Sequence, residues 1–306
     1  MSFLKRFKRF PFLAIMIAVS LIVTAVLILL ERDERLPDQT TVHDDRKVRP
    51  RQKGPIPEIP AWSPQRDERR GRQIAIIIDD IGFDLRLVDE LARIRAPIAF
   101  AFLPYAPHAA EAARLLHRAG KEILLHLPME PRSYPSEDPG AGALFTNMDA
   151  GEIRSHIEAN LTAVPYASGV NNHMGSLFME NEAGLSIVME ELAKRGLFFV
   201  DSRTTPNTLG RETAARAGVR FAERTLFIDH LRGYTAALTN LTQQRWLDLE
   251  KGKPLLLIGH PHDETIRALR EAQRRWHEDE VQVIPISVFI SIPSGKKKQN
   301  ALMKYR

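Results

Sequence analysis

Two carboxylates stand side by side at Asp79 and Asp80, directly after the apolar run Ile74-Ala75-Ile76-Ile77-Ile78. Adjacent carboxylates repel each other unless a proton or a cation relieves them. A divalent ion held by one leaves the other ionised at neutral pH and free to act as a base. Of the 10 histidines, His126, His173, His260 and His262 fall at the ends of other runs that read as strands. Imidazoles from two such runs would complete a site of two histidines and one carboxylate with one position open for water, as catalytic zinc prefers. Such an ion polarises a carbonyl and acidifies bound water. Other polar groups sit at comparable places: Glu130 after His126, Asn171 and Asn172 before His173, Asp201 after Phe198-Phe199-Val200, and Asp263 after His262. His230 follows Asp229, and its surroundings leave its role undecided. The chain has no Cys, so a thiolate nucleophile and any Cys-ligated metal are excluded.

These groups need strands to carry them, and the sequence supplies an alternating series. Apolar runs at 74–78, 98–103, 122–127, 197–200, 254–258 and 281–286 read as buried strands, with weaker ones at Val170, 219–221 and 226–228. Helical spacing covers 85–95, 109–119, 183–195, 213–217, 235–250 and 264–277, and Asp149 with Glu152 opens another helix in capping-box fashion. Fully apolar strands separated by helices imply an α/β fold with a parallel sheet. About 220 residues in one such series suit a closed or nearly closed barrel, with a doubly wound open sheet as the alternative. In either case reacting groups gather at the carboxyl ends of the strands. Gly-x-Gly-x-x-Gly does not follow the first strand, which argues against a dinucleotide site.

The chain of 306 residues is 44% hydrophobic and 26% charged, ordinary globular chemistry. Its net charge of +5 resides at the ends. Residues 1–72 carry 15 Lys and Arg against 9 Asp and Glu, whereas 73–295 carry 23 against 29. An acidic domain is a poor partner for nucleic acid. Residues 1–10 form a basic flank, and 11–30 run uncharged for the length of a bilayer-spanning helix. Glu31-Arg32-Asp33 follows in place of a small-residue cleavage site. The expectation is a single-pass signal-anchor in the inner membrane, with the remainder on the periplasmic or extracytoplasmic side. Residues 31–72, rich in Pro and charge, read as a linker; 73–293 as the catalytic domain; and 294–306 as a basic tail.

Three segments together resemble the divergent polysaccharide deacetylase family, among the NodB-like or carbohydrate esterase family 4 enzymes. They are Ile77-Ile78-Asp79-Asp80-Ile81-Gly82, His126-Leu127-Pro128-Met129-Glu130-Pro131 and Asn172-His173-Met174-Gly175-Ser176. The resemblance spans 73–293. It implies a distorted parallel (β/α) barrel and metal-dependent removal of acetyl groups from amino sugars of an envelope polysaccharide, with zinc as the expected ion. It implies Asp79 as base and Asp80 as metal ligand. Where relatives have His-x-x-x-His, this chain has His126 with Glu130. The third ligand is therefore expected to be His173, with Glu130 as the alternative. An Arg-Pro motif of the relatives is replaced by the His173 segment. The run Leu255 to His260 matches a late Leu-x-Leu-His motif, implying His260 as general acid, with His262 close enough to compete. Asp201 falls where relatives orient that acid. The competing reading is a catalytically inactive carbohydrate-binding or envelope scaffold on the same barrel.

Overall fold

Alternate side chains of the first strand enter two different apolar clusters. A computed structural model describes residues 72–242, 254–276, 278 and 281–292. In strand β1 (Arg72–Ile81), Ile74, Ile76 and Ile78 pack in the larger cluster with the helices, while Ala75 and Ile77 join a smaller one. The same period of two divides β2 (Ala99–Phe102), β3 (Glu122–Met129), β5 (Phe198–Asp201) and β8 (Leu255–Gly259). Their Ala101, Leu124, Phe198, Val200, Leu256 and Ile258 meet in the smaller cluster, although several of these strands are not neighbours. One face of the sheet is therefore concave and filled.

The sheet is parallel throughout, in the order β6-β5-β4-β3-β2-β1-β8-β7, with β9 (Val281–Val283) also on β1. Its two end strands, β6 (Phe221–Glu223) and β7 (Leu226–Phe227), are separated in the chain only by Arg224 and Thr225. With about 3.8 Å between consecutive Cα atoms, the two ends of the sheet lie within about 11 Å of each other. Arg224 N–H donates to Asp201 O on one side at 2.9 Å, and Thr225 N–H to Leu256 O on the other at 2.8 Å. The sheet thus curls into an incomplete barrel, and β6–β7 acts as one bent stave across the seam. Helices α1 (Leu85–Ala92), α2 (Ala109–Arg118), α3 (Ala150–Ala163), α4 (Glu182–Lys194), α5 (Gly210–Ala217), α6 (Tyr234–Leu241) and α7 (Asp263–Arg275) each place side chains in the larger, outer cluster. A doubly wound sheet is open, so the joining of its two ends through Arg224 and Thr225 excludes it.

Three elements differ from expectation. The helix expected over 235–250 ends at Leu241, where Thr242 turns extended, and 243–250 lie outside the described residues. β4 (Ala167–Met174) is not a short strand around Val170; it pairs with β3 from Ile123 to Met129. Its Gly169 leaves room for the Phe198 ring, which a Cβ would meet at 2.2 Å. The final apolar run is not one strand. Pro285 ends it, and α8 (Ile286–Phe289) follows, with Ile286 and Ile290 filling the concave face. The expected capping box is present, since Asp149 accepts from Gly151 and Glu152 N–H while Glu152 accepts from Asp149 N–H. No helix among the described residues is long and apolar enough to cross a membrane. The expected anchor at 11–30, its flank at 1–10, nearly all of the linker and the tail lie outside the described residues.

Candidate metal centre and acid–base pair

Asp79 follows Ala75 and Ile77 on the concave side of β1 and is 2% exposed. Strict alternation would turn Asp80 to the other face. It does not, because Asp80 adopts φ +55 and the β1–β2 register shifts between Ile78 and Ile81. This irregularity aims both carboxylates at the cavity. Gly82 follows at φ +121, where a Cβ would meet Ala106 Cβ at 2.7 Å. His126 stands two residues past Leu124 on β3 and is 2% exposed, while Asn171 and His173 come from the paired end of β4.

Asp80 Oδ1 lies 3.3 Å from His126 Nε2 and 3.2 Å from His173 Nδ1, and these two nitrogens are 3.1 Å apart. The triangle has nearly equal sides. About 3.3 Å is the edge of a tetrahedron with bonds of about 2.0–2.1 Å, the geometry of zinc with nitrogen and oxygen ligands. Proton bookkeeping supports a cation. An ionised Asp79 only accepts, so the Asn171 amide nitrogen faces its Oδ1 at 2.8 Å. The Asn171 oxygen then faces His126 Nδ1 at 2.9 Å and assigns the ring proton there. His126 Nε2 is left with a lone pair. A single proton on His173 Nδ1 can serve Nε2 or Asp80, not both, and Asp80 Oδ1 is buried without a hydrogen bond among the described residues. A divalent ion satisfies all three atoms at once. Protonating His126 is the other way to bring in positive charge. Burial opposes that, yet Asp79 and Asp80 hold the ring above its ordinary value. A metal ion displaces such a proton.

Burial raises the Asp79 carboxyl, against the pull of the His126 and His260 charges. For Asp80, burial acts upward too, but the two imidazoles outweigh it and hold the carboxyl well below the usual range. The adjacent carboxylates are therefore pushed apart, the pattern that separates a base from a ligand.

Beyond β8, His260 is held by Asp229. Oδ1 lies 3.1 Å from His260 Nδ1, and Oδ2 accepts the His260 backbone N–H at 2.7 Å and the Thr265 hydroxyl at 3.1 Å. Burial works against charge on this ring, but the Asp229 bond and the Asp79, Asp229 and Asp80 charges push it up to about 9. His262 lies beside it, with ring centroids 6.0 Å apart.

The structure thus brings Asp79, Asp80, His126 and His173 together, with Asp229, His260 and His262 in a second group. It does not bring Asp201 to His260, which corrects the expected pairing. On β5, Phe198 and Val200 face the concave side, so Asp201 points with Phe199 toward the helices. There it accepts from the Thr208 hydroxyl at 2.6 Å and Arg203 N–H at 2.7 Å. Glu130 also stands apart, its Oε2 accepting from Thr146 N–H and Oγ1, each at 2.7 Å. Sequence reasoning gave no role to Asn171 or Asp229. For Asp229 a signal existed: it stands two residues past Phe227, on the parity that faces the cavity.

Residues 76–290 match the profile of a family described as divergent polysaccharide deacetylase. The chain is 36% identical over 201 residues to the uncharacterized protein YibQ of Escherichia coli, covering 65% of this chain and 61% of that protein. An uncharacterized protein of Haemophilus influenzae is 30% identical over 207 residues, which are 68% of this chain and 73% of that one. A crystal structure of an uncharacterized Agrobacterium tumefaciens protein has the same fold, with a TM-score of 0.68 at 22% identity, covering 74% of this chain and 91% of that one.

Proposed function

The chain belongs to the divergent polysaccharide deacetylase family, and on that premise we propose that it is a zinc-dependent hydrolase removing acetyl groups from amino sugars of a cell-envelope polysaccharide. The observation that carries this reading is the triangle of Asp80 Oδ1, His126 Nε2 and His173 Nδ1, with sides of 3.1 to 3.3 Å. An ion bound there supplies Lewis acidity toward a carbonyl and a water molecule. Asp79 is the base. Its Oδ1 is tied to Asn171, so Oδ2 receives the proton from attacking water. His260 is the acid. Held by Asp229 and charged at neutral pH, it protonates the departing amine, which cannot leave as an anion.

The same proposal puts the domain outside the inner membrane, tethered by residues 11–30, where an envelope amino-sugar polymer is within reach; the uncharged run after a basic flank supports it. Two measurements test the reading. Zinc-loaded full-length protein should release acetate from N-acetylated glycans, and Asp79→Asn should not. Bound zinc without acetate release from any N-acetylated glycan would favour the inactive scaffold. Carbonate-washed membranes should retain the full chain, and a soluble form beginning after residue 30 would overturn the tether.

A further inference from the structure

The acid needs only His260 and Asp229, yet a second imidazole is brought to the same place. Among the described residues, no hydrogen bond engages the exposed His262 ring. The segment His260-Pro261-His262 is a tight turn: His262 N–H donates to His260 O at 2.8 Å, a bond across two residues. That turn sets both rings on one side, tilted by 36° with centroids 6.0 Å apart. Ligand-type atoms of Asp229, His260 and His262 all lie within 4.8 Å of one another. The Asp229 Oδ1 to His260 Nδ1 distance of 3.1 Å is again close to the edge of a zinc tetrahedron. A cation at the start of α7 opposes the helix dipole, and Asp263 and Glu264 in its first turn offset that.

We propose that Asp229, His260 and His262 form a second, weaker divalent-metal site at the mouth of the barrel, and that excess zinc inhibits the enzyme by occupying it. The site is weaker because His262 is exposed and its side chain must be immobilised to close it. Inhibition follows because a ring that gives its Nδ1 lone pair to a metal is no longer an imidazolium, and its Nε2–H is a far weaker proton donor to the leaving amine. The inhibitory consequence rests on the reading of His260 as the acid; the metal site does not.

Equilibrium zinc titration of the metal-free full-length protein against a chromophoric chelator tests it. The wild type should bind a tight and a weak equivalent. His262→Ala should keep the tight one and lose the weak one, and Asp80→Asn should do the reverse. In turnover, excess zinc should suppress amide hydrolysis by wild type and spare His262→Ala. A single equivalent, kept by His262→Ala and lost by Asp80→Asn, overturns the second site and leaves the proposed function standing. A single equivalent lost by His262→Ala and kept by Asp80→Asn does the opposite. Weak binding that His262→Ala leaves unchanged also overturns the second site.

Discussion

The Asp229 carboxylate grips His260 twice, through Oδ1 at 3.1 Å from Nδ1 and through Oδ2 on the backbone N–H at 2.7 Å. The ring is thereby fixed in orientation, with Nδ1 protonated toward Asp229 and Nε2 left for substrate. Asp229 is also a main reason that the ring keeps its charge to about pH 9, the Asp79 and Asp80 charges adding to it.

Asp229→Asn should therefore move the alkaline limb of the amide rate profile. An acid works protonated, so the rate falls as pH rises through its pKa. Removing a carboxylate lowers that pKa, and the fall should come about 1–2 units earlier. Activated esters, whose leaving groups need no proton, should keep the wild-type limb. An unmoved amide limb would show that Asp229 does not hold the acid.

Asp201→Asn should behave as a packing change. Its carboxylate satisfies Thr208 and Arg203 N–H behind the sheet. Chemical denaturation should show a loss of about 1–3 kcal/mol. Zinc affinity and the ratio of amide to ester turnover should stay at wild-type values; a selective loss of amide turnover would restore Asp201 as the orienting group.

Asn171→Ala should weaken zinc binding about 10–100-fold, as loss of an outer hydrogen bond to a ligating imidazole does. Asn171→Asp keeps an acceptor for His126 Nδ1 but sets a like charge against Asp79. Its zinc affinity should lie nearer wild type, and its rate should fall. Chelator competition and turnover together decide this, and an Ala variant with wild-type affinity would refute it.

His173→Ala should lose the zinc bound at the Asp80 triangle and Glu130→Ala should retain it. Glu130 instead secures the segment after β3 through Thr146. Metal content of the two purified variants is the check, and the reverse result would move the third ligand to Glu130.

The sequence exposes the strand ends and hides the strand faces. Asp79, Asp80, His126, His173 and His260 could all be picked out because each stands at the carboxyl end of an expected strand. Asp201 misleads for a physical reason. Phe198-Phe199-Val200 is apolar on both faces, so nothing in it tells which side the next residue takes. Asp229 was hard to weigh because β7 has only two residues. The turn of Asp80 into the cavity depends on a register shift against β2, a tertiary feature that local pattern does not encode. The extent of β4 escaped because Asn171 and Asn172 look like loop residues until Asp79, His126 and Ser202 are there to bond them.

The seam between β6 and β7 gives the cavity two unequal jaws. The Asp80, His126 and His173 jaw is mounted on β1, β3 and β4, where β3 and β4 are laddered over most of their length. The other jaw hangs Asp229 just past a two-residue stave whose only sheet partner among the described residues is β8. Fewer ladder bonds mean a lower cost of local displacement. On the proposed reading, a sugar clasped between them would meet an anvil on one side and a sprung arm on the other. On that reading the Asp229 side would give way as the amine departs, while the acetyl carbonyl would stay seated at the Asp80 triangle.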